Sequence, residues 1–222
     1  MPPLPPPLPP AERPVGQLVA ESIRVYGRRF WRALAVGSFA AAFLLGLLVL
    51  DGTPRTIFAL VAGPPLLSLS YTLATTLVTG ERRGSLPLAF LLGIPAFLPF
   101  AASRVTVFLG AVLFAFVWFA LIGLAVPAVV VEGLGPIEGL RRGVTLARAD
   151  FVHALGAIAT LGILIVVSLF VLFFLLAGFG DQTLPAAALL AVLVLGPLFF
   201  IGAALLYFDQ AARQDRGRVQ RR

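Results

Sequence analysis

Residues 86–131 read LPLAFLLGIPAFLPFAASRVTVFLGAVLFAFVWFALIGLAVPAVVV, with a single charge, Arg104. About 20 apolar residues are needed to cross the ~30 Å hydrocarbon core of a bilayer as a helix. This run is too long for one crossing and suits two. Read as a hairpin, it gives spans 86–102 and 105–131 with Arg104 at the far interface. The first of these carries Pro87, Pro95 and Pro99. Proline lacks an N–H and clashes with the preceding turn, so a broken or half-inserted helix is expected there.

The rest of the chain arranges itself around this hairpin. Apolar runs at 33–50, 57–79, 152–178 and 185–207 supply further spans, for a total of about six. Asp51-Gly52-Thr53-Pro54-Arg55 and Gly180-Asp181-Gln182 read as turns, and Glu81-Arg82-Arg83-Gly84 closes the second span. An even number of spans keeps both termini on one side. Of the 17 basic residues, all arginine, only Arg55 and Arg104 then fall on the other side. Arginine is retained on the cytoplasmic side of membrane proteins. The expected location is therefore a bacterial cytoplasmic (inner) membrane, crossed several times, with both termini cytoplasmic.

Composition agrees. The chain has 222 residues, of which 59% are hydrophobic and 12% charged, and its mean hydropathy is +1.00. Soluble domains run at about 45–50% apolar and about 25% charged. The fold class expected is all-α, a polytopic transmembrane helical bundle. There is no cysteine and one histidine, His153, which removes disulfides, thiolate chemistry and His-rich metal sites. No cofactor is implied. The net charge of +7 and a pI near 11.4 ordinarily raise nucleic acid as a partner. Here the arginines flank apolar runs, so they read as topology signals and no nucleic acid is expected. Arginine without lysine, in an Ala-, Gly- and Pro-rich chain, points to a GC-rich bacterial source. No basic stretch precedes Arg13, so the start does not read as a secretory signal peptide.

Outside the spans the expected division is simple. Residues 1–15 form a disordered, Pro-rich cytoplasmic tail sampling polyproline II. It reads as a PxxP ligand or as a solvated tail. Residues 16–209 form the transmembrane domain and 210–222 a basic cytoplasmic tail. Residues 17–31 predict an interfacial amphipathic helix, with Val19, Ile23, Tyr26 and Phe30 on one face and Glu21, Arg24, Arg28 and Arg32 on the other. Residues 136–150 repeat the theme. Gly135-Pro136 is a helix start, and Ile137, Leu140, Val144, Ala147 and Phe151 make the stripe opposite Glu138, Arg141, Thr145 and Arg148. Segments 17–35 and 138–156 align without gaps, Phe30 on Phe151 and Ala33-Leu34 on Ala154-Leu155. Residues 85–102 read as a degenerate third copy. All copies start on the same side, as parallel repeats would; amphipathic lead-in helices also resemble one another by chemistry alone.

Candidate sites are few. No ionisable residue falls deep in a span, the usual mark of a proton or ion path. His153 reads as an interfacial polar residue. Arg24, Arg28, Arg29 and Trp31, with Arg141, Arg142 and Arg148, are candidates for the membrane interface and anionic headgroups. Ser68, Ser70, Thr72, Thr75 and Thr76 follow Pro64-Pro65; they read either as lining a cavity or as hydrogen-bonding between helices. Ser38, Ala42 and Gly46, and likewise Ala187 and Ala191, have the spacing of close helix contacts.

Two motifs are distinctive: Val126-Pro127-Ala128-Val129-Val130-Val131-Glu132-Gly133-Leu134-Gly135-Pro136-Ile137-Glu138-Gly139-Leu140-Arg141-Arg142-Gly143, and Leu205-Leu206-Tyr207-Phe208-Asp209. With the Arg24–Trp31 segment they resemble a bacterial family named for the membrane domain attached to some glycerophosphodiester phosphodiesterases. The resemblance spans roughly residues 17–213 and singles out Glu132, Gly133, Pro136, Tyr207 and Asp209. It implies about six spans with amphipathic segments between them. The family often has Ser in place of Gly143, and a further arginine just after the Asp209 position. This chain has Gln210-Ala211-Ala212 there, with Arg213 as the nearest substitute. The phosphodiesterase activity belongs to a separate soluble domain and is not implied. The expected function is a non-catalytic membrane module that anchors or organises partners or supports the envelope. Its partners would be membrane lipids and a protein reached through the Pro-rich tail or the interfacial helices. The alternative is a permease or a lipid- or amphiphile-handling protein. Nothing in the residue set pairs a nucleophile with a base, so no enzyme is expected.

Overall fold

The computed structural model describes residues 9–80, 83–106, 108–176 and 183–219, with the side chains of 104–106 and 218 left aside. Pro-rich residues 1–8, Glu81, Arg82, the 180–182 turn and the Arg104 side chain lie outside the described residues. The described chain is helical throughout. A 3-10 turn at Pro10–Glu12 leads to α1 (Val15–Arg28), α2 (Phe30–Val49), α3 (Gly52–Val61), α4 (Gly63–Thr79) and α5 (Leu86–Thr106). Then come α6 (Leu109–Ile122), α7 (Ala125–Glu132), α8 (Pro136–Ala149), α9 (Phe151–Leu176) and α10 (Thr183–Val219). Six stretches are long and apolar enough to cross a membrane: Phe30–Val49, Gly52–Thr79, Leu86–Ser103, Leu109–Glu132, Phe151–Leu176 and Thr183–Gly217. The chain is an all-α polytopic bundle and reads as a multi-pass membrane protein.

Proline sets where these spans are interrupted. In the second span the helical ladder stops at Ala62, because Pro64 and Pro65 have no N–H to offer the preceding turn. At the first turn of α4 the missing donors cost nothing, since those N–H groups have no partner in any helix. The fourth span breaks at Gly123-Leu124 ahead of Pro127. There Val126 N–H reaches back only three residues, to Gly123 O at 3.3 Å. These breaks fall at the prolines of the second and fourth spans, while the segment expected to be broken or half-inserted is intact. Helix α5 runs unbroken through Pro95 and Pro99. Pro99 leaves Pro95 O without its intrahelical donor, and the Trp118 indole N–H of α6 donates to that carbonyl at 2.8 Å. Two more boundaries move. The predicted turn at 51–55 is the start of α3, and the basic tail expected from 210 continues α10 to Val219.

Helix α10 is the central post. It packs against α9, α2, α4, α1 and α8, and two-thirds of its apolar window (67%) is buried, against 17% for α9. An aromatic cluster fills the middle of the bundle, with Phe97 and Phe119 at 4.9 Å, Tyr71 and Phe119 at 5.4 Å, and Phe119 and Phe199 at 5.6 Å between ring centroids. Such edge and tilted pairs contribute about 0.5–1.5 kcal/mol each beyond their burial.

The two short helices α1 and α8 form as predicted, but their faces are rotated. On α1 the buried residues are Leu18 and Ser22, while Ile23 is 52% exposed. On α8 they are Gly139, Gly143, Leu146 and Ala147, while Ile137 is 74% exposed. A Cβ on Gly143 would sit 2.4 Å from Ala125 N. Only glycine allows α8 to lie backbone-to-backbone on α7. Ile23, Ile137 and Leu140 of the predicted stripes look away from the protein, as residues facing lipid would, whereas Val19, Tyr26 and Ala147 pack against the core. Ser38 and Ala42 on α2 also face outward, contrary to the contact expected of them, whereas Ala187 and Ala191 on α10 are buried as predicted.

The sequence echo has a structural counterpart. Each 14-residue short helix ends at one non-helical residue, Arg29 or Asp150, and a long helix follows at once. Leu18, Ser22, Ala33, Val36, Gly37 and Ala40 are all buried, and so are their aligned positions Gly139, Gly143, Ala154, Ala157, Ile158 and Leu161. The expected third copy has no such form, since α5 begins at Leu86 with no short helix before it.

Candidate functional site

The most organised polar site lies where α7, α8 and α9 meet the last turns of α10. Helix α7 ends at Glu132 because Gly133 turns into the left-handed region, φ 72°. Pro136 starts α8, and Gly135 N–H caps onto Glu138 Oε2 at 3.4 Å. This tight reversal aims the Glu132 carboxylate at α8 and α10. Arg142 Nε donates to its two oxygens at 2.8 and 3.2 Å. The Tyr207 hydroxyl donates to the same carboxylate, and Arg142 Nη1 donates to Gln214 Oε1.

A second group surrounds Asp150, the residue between α8 and α9. Its Oδ1 accepts the His153 backbone N–H at 3.1 Å and so caps α9. Its Oδ2 accepts from Arg213 Nη1 at 2.8 Å, and its carbonyl from Gln210 Nε2 at 3.1 Å. The His153 ring lies 3.4 Å from Arg213 Nη2.

The N-terminal segment closes the network. Arg13 Nη1 donates to Asp209 Oδ1 at 3.1 Å, Arg213 Nη2 donates to Arg13 O at 2.9 Å, and Arg216 Nη2 donates to Glu12 Oε1 at 2.8 Å. The Asp209 side chain is fully buried and that of Arg13 is 13% exposed. From Pro9 onward, then, the tail expected to be disordered is a strap laid on α10. The arginine expected to serve Asp209 was Arg213. That residue pairs with Asp150 instead, and Arg13 takes its place.

Glu132 and Tyr207 meet directly, Asp209 sits in the neighbouring group built on Arg13 and Arg213, and Gly133 and Pro136 have turn-forming roles. Sequence reasoning missed Arg13, Asp150 and Gln214, and assigned Arg213 to Asp209 where it pairs with Asp150. A signal was present in the three- and four-residue spacing of Tyr207, Gln210, Arg213 and Gln214, which share one side of a helix if α10 continues. Each carboxylate is engaged by a guanidinium, so the chemistry on offer is charge neutralisation and clamping.

The headgroup candidates divide. Arg142 belongs to the network. Arg24 pairs with Glu21 on its own helix, and Arg29 donates to Leu77 O at 2.8 Å. Arg28, Arg141 and Arg148 are exposed and have no ion pair among the described residues, and Trp31 is 78% exposed.

The hydroxyls of α4 line no cavity that the structure describes. Ser68 donates to Phe90 O at 2.5 Å, Ser70 to Val36 O at 2.9 Å and Thr75 to Tyr71 O at 2.9 Å, all buried between or within helices. Thr76 does the same toward Leu73 O at 2.8 Å, and Thr72 is buried at 3% exposure. A cavity does exist, of about 360 Å³, but in the half of the bundle away from the charged network. Helix α4 gives it only Leu67.

No family model, curated protein or solved structure matches the chain.

Proposed function

We propose that this chain is a non-catalytic integral membrane module of the bacterial inner membrane. Its basic end faces the cytoplasm and holds anionic headgroups or an acidic partner. The observation that carries this reading is the exposure of three guanidiniums, Arg28 on α1 and Arg141 and Arg148 on α8, which form no ion pair among the described residues. Each such charge near an anionic surface contributes roughly 1 kcal/mol. Glu12, Glu21, Glu132, Asp150 and Asp209 are already matched to other arginines, which leaves these three guanidiniums free to meet charge outside the chain. The resemblance to the membrane-domain family supports the same reading. Pro-rich residues 1–8 precede the strap and offer a second point of attachment for a protein partner.

The chain has no cysteine, which makes orientation directly measurable. A cysteine at Arg148 is expected to react with an impermeant thiol reagent only after the membrane is opened, and one at Thr56 in intact spheroplasts. The anchoring role is tested by cross-linking in cells followed by capture in mild detergent. The expected result is a specific partner or an anionic lipid that is lost on Arg28→Glu, Arg141→Glu and Arg148→Glu together. Recovery of neither, or recovery indifferent to these charges, would remove the proposal.

A further inference from the structure

The cavity away from the charged network is walled by α2, α4, α5, α6, α9 and α10. Its lining is hydrocarbon except for Ser103, whose hydroxyl is already given to Phe100 O at 2.8 Å. A buried water needs two to four polar partners, and the only polar side chain this lining offers is Ser103, whose donor is already used. Left empty, a void of this size forfeits the dispersion contacts of its whole wall.

Position narrows the occupant. The lining runs from mid-span, at Ala40 and Gly162, to Leu47 and Ser103 near the ends of α2 and α5 farthest from the charged network. One wall is α9, the least buried of the six spans at 17%. Val166 on that wall is 51% exposed, so the cavity borders the outer surface of the bundle there. In a bilayer that surface is bathed in hydrocarbon chains. The volume of about 360 Å³ sits at the low end of small-ligand sites, about 300–1,000 Å³, which suits one chain and not a two-chain lipid. At the floor, Phe97, Phe199 and Phe200 are 2%, 8% and 4% exposed, beyond the reach of lipid that stays outside.

We infer that this cavity takes one acyl chain of a bilayer phospholipid from the leaflet on the Val49 and Thr106 side. The lipid's other chain lies outside along α9. The inference goes beyond the anchoring role and is independent of the basic end.

Gly196 supplies the blocking variant. A Cβ there would meet only Val192 Cγ1, at 3.8 Å, so Gly196→Leu grows into the cavity without pressing on a helix. The full chain is reconstituted with a phospholipid carrying a diazirine near the end of one acyl chain, irradiated, and the adducts are mapped by mass spectrometry. Adducts are expected on Phe97, Phe199 or Phe200 as well as on outward-facing Phe174. The buried adducts should fall about tenfold in Gly196→Leu, a 1.4 kcal/mol effect, with Phe174 unchanged. If that variant does not fold, the wild-type map decides alone. Labelling confined to outward residues overturns the inference. So does labelling of the same rings by a water-soluble carbene source, which would mean a hydrated cavity. A cross-link from these rings to a second copy of the chain overturns it as well.

Discussion

The two ends of the bundle hold together by different means. At the charged end, residues far apart in the chain meet through directed contacts: Arg13 with Asp209, Glu132 with Arg142 and Tyr207, Asp150 with Arg213. In the opposite half the contacts are rings and aliphatic chains around an apolar cavity. Transferring an apolar side chain from lipid to the protein interior gains little, so packing and hydrogen bonds decide helix association in a membrane. The charged end fixes which helices meet and in what register. The apolar half tolerates a gap, because a lipid chain can serve as filler.

Four substitutions test that contrast, in decreasing order of expected effect. Gly143→Leu places a side chain against Ala125 N, at 2.4 Å from its Cβ. Forcing α7 and α8 apart should cost about 3 kcal/mol, read as a loss of thermal stability in detergent. Silence at this position would mean that the backbone contact is not what seats α8. Arg13→Ala leaves Asp209, fully buried at its side chain, without its guanidinium. A fully buried pair broken in this way costs about 3–5 kcal/mol. With Arg13 itself 13% exposed, a loss of about 2 kcal/mol is expected, together with easier proteolysis after Arg13. Trp118→Phe removes the donor to Pro95 O in the apolar half, for about 1 kcal/mol. The melting curve should shift without any change in lipid retention. Arg216→Ala breaks the second strap pair, whose side chains are 43% and 48% exposed. Exposed pairs contribute about 0–1 kcal/mol, so no measurable change is expected. If Arg216→Ala matched Arg13→Ala, the strap would act through total charge and not through burial.

Much of the fold was legible in the sequence. Long apolar runs bounded by arginines or by the polar turn at 180–182 mark all six spans, since length and hydropathy are what a bilayer imposes. Which face of a helix turns inward was not legible. On α1 and α8 exposed Ile23, Ile137 and Leu140 look outward, while the buried faces combine one leucine each, Leu18 and Leu146, with the small residues Ser22, Gly139, Gly143 and Ala147. Hydrophobicity ranks burial in water but not in lipid, where closeness of approach does so instead. The charged network was half legible. Glu132, Tyr207 and Asp209 were singled out through the resemblance, but nothing local ties Arg13 to a partner 196 residues away. The helix breaks misled for a related reason. Proline marks where a donor is missing, and only the neighbouring helix determines whether, as at Pro95 O and Trp118, another group replaces it.

The strap and the central post have a consequence for biosynthesis. A chain leaves the ribosome N-terminal end first, so Arg13 is made long before Asp209, and α10 reaches the bilayer after the helices it packs against. The earlier helices wait in the membrane without the element most of them pack against. Assembly is thus arranged as a late locking step: insertion of α10 brings together α1, α2, α4, α8 and α9, and the early-made strap at Glu12 and Arg13 then latches onto it.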